Sequence, residues 1–286
     1  MKQIVVISGK GGTGKTVVTG SLASLADSKV MVDCDVDAAN LHLLLGPKVK
    51  ERHEFRSGET AVIDKNMCSK CGECARVCRF GAISRDIEVE PFSCEGCGLC
   101  ALVCPKKAIK MQENLAGEWF LSETRYGLFV HAKLGIAEEN SGKLVSKIRK
   151  VAADLAETNR LQYVIIDGPP GIGCPVIASL SGVDFALVVT EPSLSGLHDA
   201  QRAIDTALHF KVPSKLLINK FDLNSDMSAR IEEYCKGKGV PVVGKIPFDK
   251  TVVEAVASGK PAVEYCSGPV KETLEKLWKE IKEGAS

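Results

Sequence analysis

Gly9-Lys10-Gly11-Gly12-Thr13-Gly14-Lys15-Thr16, near the start of the chain, has the residue types and spacing to hold a phosphate. It satisfies G-x-x-x-x-G-K-[ST]. A turn built of Gly11, Gly12, Thr13 and Gly14 lets backbone N–H groups wrap the anion, and a helix N-terminus adds a favourable dipole. Lys15 is then the cation for the β- and γ-phosphates, and the Thr16 hydroxyl is a magnesium ligand. Gly9, Gly11 and Gly14, followed by Asp33 and Asp35 about 20 residues on, also satisfy the dinucleotide fingerprint. Lys15-Thr16 separates the two readings. A triphosphate with magnesium needs that lysine and hydroxyl, whereas a nicotinamide or flavin dinucleotide does not. ATP and Mg2+ are the expected ligands.

The cysteines make a second pattern. Of the 12 in the chain, eight lie between residues 61 and 110 as two C-x2-C-x2-C-x3-C runs. Cys68, Cys71, Cys74 and Cys78 recur 26 residues later as Cys94, Cys97, Cys100 and Cys104. Gly72 and Gly98, Val77 and Val103, and Ala82-Ile83 and Ala108-Ile109 share that offset, so the module is an internal duplication. The spacing is that of the four-iron runs of bacterial ferredoxins, in which the fourth cysteine serves the other cluster. The expected ligand sets are Cys68, Cys71, Cys74 and Cys104 for one 4Fe–4S cluster, and Cys78, Cys94, Cys97 and Cys100 for the second. Arg79 stands where that pattern has proline, while Pro105 keeps it; the ligand count is unaffected. Two zinc sites are the plainer alternative, disfavoured by eight cysteines in two duplicated fours. All-cysteine ligation implies low potentials.

Lys10 adds a second cation to the phosphate loop, and K-G-G-T-G-K-T resembles the deviant Walker A signature of the MinD/ParA/nitrogenase-iron-protein class. The resemblance implies that Lys10 reaches across an ATP-sandwiched dimer to the partner's nucleotide, in a homodimer or a heterodimer with a paralogue; a solvated Lys10 is the simpler alternative. Asp33-Cys34-Asp35 resembles switch I, with Asp35 orienting the attacking water and joining Thr16 and Asp167 around magnesium, and Asn40 a switch asparagine. The two carboxylates could instead cap the following helix. Asp167-Gly168-Pro169-Pro170-Gly171 resembles Walker B and switch II, with Gly168 sensing the γ-phosphate. Asn219-Lys220-Phe221-Asp222 and Ile246-Pro247-Phe248-Asp249 resemble the loops that hold the base, through Asn219, Pro247 and Asp249. The catalytic set implied is Lys10, Lys15 and Asp35.

As a whole the chain, from the phosphate loop to about residue 266, resembles MinD-superfamily P-loop ATPases carrying an inserted ferredoxin domain. That resemblance implies ATP hydrolysis coupled to low-potential electron transfer to a redox or metalloprotein partner. A carrier or scaffold for iron–sulfur or metal-centre assembly is the alternative, as is a MinD-like positioning ATPase. Scaffolds of this superfamily use a C-x-x-C pair in the C-terminal half; Cys235 and Cys266 do not form one.

These motifs need a frame. Apolar runs at 3–8, 29–33, 163–167, 185–190, 215–219 and 241–245 alternate with helical stretches, from 14 to 27 and again from near Ser195. This predicts a doubly wound, mostly parallel α/β sheet of the P-loop (SIMIBI) type. It divides as 1–58 and 114–286 for the ATPase, with 59–113 as the insert. Residues 118–146 read as one or two hairpins. Val270, Leu274, Leu277, Trp278 and Ile281 give the last helix an apolar face expected to pack on the sheet; its balanced Lys and Glu argue against an anionic membrane. A net charge of +1 and 5% aromatic residues argue against a nucleic-acid surface. With no signal-peptide pattern and no apolar run near 20 residues, a cytoplasmic protein without stable membrane insertion is expected. Cys34, Cys174, Cys235 and Cys266 stand alone; Cys174 reads as a small buried thiol, with a bridging cluster at a dimer axis as the alternative. His198 reads as a helix-face histidine.

Overall fold

The computed structural model describes residues 1–135 and 141–283. Among them the strands are β1 (Lys2–Ser8), β2 (Lys29–Asp33), β3 (Lys48–Ile63), β4 (Ile109–Thr124), β5 (Gly127–Leu134), β6 (Tyr163–Pro170), β7 (Phe185–Thr190), β8 (Ser214–Asn219) and β9 (Val242–Ile246). They form one nine-stranded sheet in the order β3-β4-β5-β2-β6-β1-β7-β8-β9. From β5 to β9 each neighbouring pair is parallel. Strands such as Ile4–Ile7 and Val164–Ile166 are apolar on both faces because helices cover both, and they are fully buried. Sequence order 2-6-1-7-8 across the middle places the carboxyl ends of these strands along one edge. That edge is where open parallel sheets bind ligands.

The helix Pro269–Glu283 buries Val270, Leu274, Leu277, Trp278 and Ile281, as its periodicity predicts. Trp278 meets the Tyr163 ring edge-on at 5.2 Å. Among the described residues no helix is long and apolar enough to cross a membrane.

One element departs from the sequence reading. The strand β3 has no apolar run (KVKERHEFRSGETAVI), and only Ser57 and Ala61 in it are buried, so pattern alone gives it no signal. The stretch 118–146, of which 136–140 lie outside the described residues, holds one hairpin among those described, turned at Thr124–Gly127 by the Thr124 hydroxyl donating to the Gly127 carbonyl at 2.9 Å. Its last residues belong to the helix Ser141–Thr158 rather than to a second hairpin.

The chain separates into two compact units. One contains Met1–His53, Trp119–Lys133 and the chain from Ser141 onward; the other contains Glu54–Glu118 and continues from Leu134. The smaller unit repeats its backbone at the same 26-residue offset as its cysteines. Helices Glu73–Val77 and Leu99–Val103 are each preceded by a left-handed glycine, Gly72 at φ 79° and Gly98 at φ 74°. Lys70 (φ 55°) and Gly96 (φ 63°) are likewise equivalent, as are Gly81 (φ 63°) and Lys107 (φ 49°).

Lys70 shows that the left-handed turn alone does not require glycine. Gly96 is different, because a Cβ there would collide with the Glu59 carbonyl. Gly96→Ala should therefore destabilise the smaller unit by about 2 kcal/mol or more, while Lys70→Gly should change it by less than about 1 kcal/mol. Amide hydrogen exchange restricted to residues 54–118 distinguishes the two.

Candidate nucleotide site and cysteine cavities

At the carboxyl end of β1 the phosphate loop uses Gly12 (φ 80°) and Gly14 (φ 94°) in the left-handed region, and Lys15 opens the helix Lys15–Leu25. The Lys15 ammonium is buried and pairs with Asp167 Oδ1 at 3.0 Å and Asp35 Oδ2 at 3.9 Å. Asp167 Oδ2 accepts from the Thr16 hydroxyl at 2.8 Å, and Oδ1 accepts from Thr19 at 2.8 Å. Thr16, Asp35 and Asp167, expected around magnesium, thus converge on Lys15. Thr19 was not anticipated. Its only sequence signal is a hydroxyl one helical turn after Lys15.

Burial alone would lower the Lys15 pKa, but the charges of Asp167, Asp33 and Asp35 outweigh it and hold the lysine above its ordinary value. Burial pushes the Asp33 carboxyl up to about 7, with the like charge of Asp167 adding and Lys15 opposing. Burial likewise raises Asp35, against Lys15. Asp33 is the capping carboxylate of the pair: it accepts from the Asp35 N–H at 3.0 Å and from the Leu41 N–H, at the start of the helix Leu41–Leu45, at 3.1 Å. Asp35 stays free to face Lys15. Asn40 precedes that helix without a side-chain cap bond. Gly168 has a packing reason of its own, since a Cβ there would lie 2.8 Å from the Val6 carbonyl and from Ile7 Cγ2.

Asn219 donates from Nδ2 to the Thr13 carbonyl at 2.8 Å, bracing the loop from β8. Asp222 accepts from the Phe248 N–H at 2.6 Å, joining the two expected base loops. Asp249 is the N-cap of the helix Lys250–Ala257, and its Oδ1 accepts from both the N–H and the hydroxyl of Thr251 at 2.8 Å. Pro247 lines a groove with Phe221, Val243, Lys245 and Thr273 that includes none of residues 9–16. Lys10 is not merely solvated: it pairs with Glu191 at 2.8 Å. Cys34, Cys235 and Cys266 are buried, but Cys174 is exposed, contrary to expectation, because it sits at the first turn of the helix Cys174–Leu180. His198 is an exposed helix residue 3.8 Å from Asp199.

In the smaller unit the eight cysteines line two cavities. Cys68, Cys71, Cys74 and Cys104 line one, with Gly72, Pro105 and Ile109. Cys78, Cys94, Cys97 and Cys100 line the other, with Phe80, Gly98 and Leu99. Backbone N–H groups of Lys70 and Ala108 donate to the sulfurs of Cys68 and Cys104, at 3.4 and 3.3 Å. Among the described residues no group of three His, Cys, Asp or Glu is gathered closely enough to hold a single ion.

A glycine loop between β1 and a helix, with a lysine and a strand-end aspartate at its mouth, defines a P-loop nucleotide-binding protein of the α/β class. The family model for the CobQ/CobB/MinD/ParA nucleotide binding domain matches residues 4–262, and the chain belongs to that family. It is 35% identical to an uncharacterized protein of Methanocaldococcus jannaschii over 98% of this chain and 96% of that one. It is 25% identical to the iron-sulfur cluster carrier protein of Pyrococcus abyssi, over 98% of this chain and 87% of the relative. Among solved structures, the fold is similar to the septum site-determining protein MinD of Pyrococcus horikoshii complexed with Mg-ADP. The TM-score is 0.59, at 19% identity over 100% of this chain and 97% of that one.

The two hydroxyls on Asp167 suggest a test of its positioning. Thr19→Val keeps the shape of the side chain and removes a hydroxyl proton shared between the buried Asp167 carboxylate and the Lys15 carbonyl, which corresponds to about a tenfold effect. ATP hydrolysis should fall by about that factor, with the far-ultraviolet spectrum unchanged.

Proposed function

We propose that the chain is an ATP-hydrolysing iron–sulfur protein in which a nucleotide-driven dimer is coupled to low-potential electron transfer to a redox or metalloprotein partner. The dimer joins two identical chains, or this chain and a paralogue. In this reading residues 59–113 are a ferredoxin-like insert between ATPase segments 1–58 and 114–286.

The observation that carries it is the sorting of the cysteines. Cys74 and Cys78 are close in sequence yet line different cavities, and Cys104 lines the cavity of Cys68, Cys71 and Cys74. This is the crossing expected of paired four-iron sites. The donor set of eight cysteines, four to a cavity, fits such groups. When bound, the two clusters supply one-electron carriers. The chain's own part is to hold eight thiolates and to donate backbone N–H groups to Cys68 and Cys104.

At the phosphate loop the buried Thr13 hydroxyl has no hydrogen-bond partner among the described residues, which fits a ligand-binding loop. Here Gly11, Gly12, Thr13, Gly14, Lys15 and Thr16 cradle the phosphates. Thr16, Asp35 and Asp167 hold magnesium, Asp35 orients the water, and Lys10 serves the partner's nucleotide. Asn219 and Pro247 stand by the base.

The name of the Pyrococcus abyssi relative favours a second reading, a carrier that hands on assembled clusters. Against it, Cys235 and Cys266 are buried, and Cys266 accepts from the Thr251 hydroxyl. Only Cys174 of the four lone cysteines is exposed.

Protein purified anaerobically should hold about eight iron and eight labile sulfide per chain. Lys15→Ala should end hydrolysis and leave that content intact. Cys78→Ser should disturb the cluster held by Cys94, Cys97 and Cys100 rather than the one held by its sequence neighbours. Zinc without sulfide, or damage confined to the Cys68 site, would overturn the assignment.

A further inference from the structure

Glu191 follows β7 directly and carries two lysines. Its Oε1 pairs with Lys10 Nζ at 2.8 Å, and its Oε2 pairs with Lys220 Nζ at 3.1 Å. Lys10 Nζ also donates to the hydroxyls of Ser195 at 2.8 Å and Ser193 at 3.2 Å. An ammonium has three N–H donors. Glu191, Ser193 and Ser195 occupy all three from within the same chain. The backbone is fixed as well. The Ser8 hydroxyl donates to the Lys10 carbonyl at 2.8 Å, and Gly9 and Gly196 leave no room for a Cβ against the carbonyls of Asp199 and Glu191.

In this arrangement Lys10 has nothing left to offer another molecule. We propose that Glu191 is a latch that keeps Lys10 in its own chain and sets the ATP requirement for dimerisation. The inference rests on the reading of Lys10 as the residue that serves the partner's nucleotide. Dimer formation then exchanges one acceptor for another, the Glu191 carboxylate for phosphate oxygens of the facing chain. The second lysine makes this exchange feasible. When Lys10 leaves, Glu191 keeps Lys220, so no carboxylate is stranded without a cation in a half-buried place. Lys220 is itself tied to the phosphate loop by donating to the Gly12 carbonyl at 3.2 Å. The latch therefore opens at Lys10 and stays closed at Lys220.

Glu191→Gln tests this in the full-length protein, by sedimentation over a range of protein concentrations with Mg-ATP and Mg-ADP. A partly exposed ion pair corresponds to at most about a fivefold effect. Two latches open per dimer, so the protein concentration for half-dimerisation in ATP should fall by up to about 25-fold. Ser195→Ala, which removes one acceptor without changing charge, should move the same way by less. The double variant Lys10→Ala/Glu191→Gln separates the latch from a general gain in positive potential. It should dimerise as poorly as Lys10→Ala alone. If Lys10→Ala fails to dimerise and Glu191→Gln matches wild type, the latch is wrong and the role of Lys10 stands. If Glu191→Gln helps equally in the Lys10→Ala background, the effect is not through Lys10 and the latch is again wrong. A wild type whose mass ignores ATP would overturn the role of Lys10 and the latch together.

Discussion

Two carboxylates side by side in the middle of a sheet need a cation, and the nucleotide end of this protein is arranged around that need. The parallel register of β2 on β6 sets Asp33 opposite Asp167, both fully buried. Like charges so placed repel, and removing them from water costs more than their neighbours return unless a cation joins them. Lys15 is that cation, delivered by the turn between β1 and its helix. Asp33 is further held by two backbone N–H groups, while Asp167 takes the lysine and two hydroxyls. Asp35 meets Lys15 at 3.9 Å, against 3.0 Å for Asp167.

The smaller unit meets a different constraint. Its buried apolar cluster is little more than Ala61, Ile83, Ile87 and Ile109 with Cys74 and Cys100. A core this small contributes modest stability, and a bound inorganic group can add to it. Each cavity here draws cysteines from both halves of the duplication. An inorganic group in either one would cross-link the repeats, so folding and ligation become one problem. Gly96 against Glu59 shows how tightly the backbone must close for that arrangement.

Much of this was legible in the sequence, for identifiable reasons. Buried parallel strands are apolar on both faces, so six of them stand out as runs. The phosphate loop and the cysteine spacing are local patterns whose chemistry is contained in consecutive residues. What was not legible depends on neighbours far apart in the chain. The strand β3 is polar and mostly exposed, so nothing in its composition marks it. Thr19 matters because β6 brings Asp167 beside it, 148 residues away. Glu191 matters because β7 lies next to β1. Asp249 reads as part of a base-binding loop, and its second role, as a helix cap, comes from a Thr two residues on. Cys174 looked like a buried thiol, yet a helix start turned it outward.

The central claim is that one chain joins a nucleotide-driven switch to a pair of electron carriers. An anaerobic redox titration followed by electron paramagnetic resonance tests it most directly, on protein holding Mg-ADP and on protein holding a non-hydrolysable Mg-ATP analogue. Coupling predicts that the midpoint potential of at least one cluster differs between the two by about 60 mV, the equivalent of a tenfold change for one electron. Superimposable titrations with unchanged spectra, in protein shown to bind both nucleotides, would contradict it.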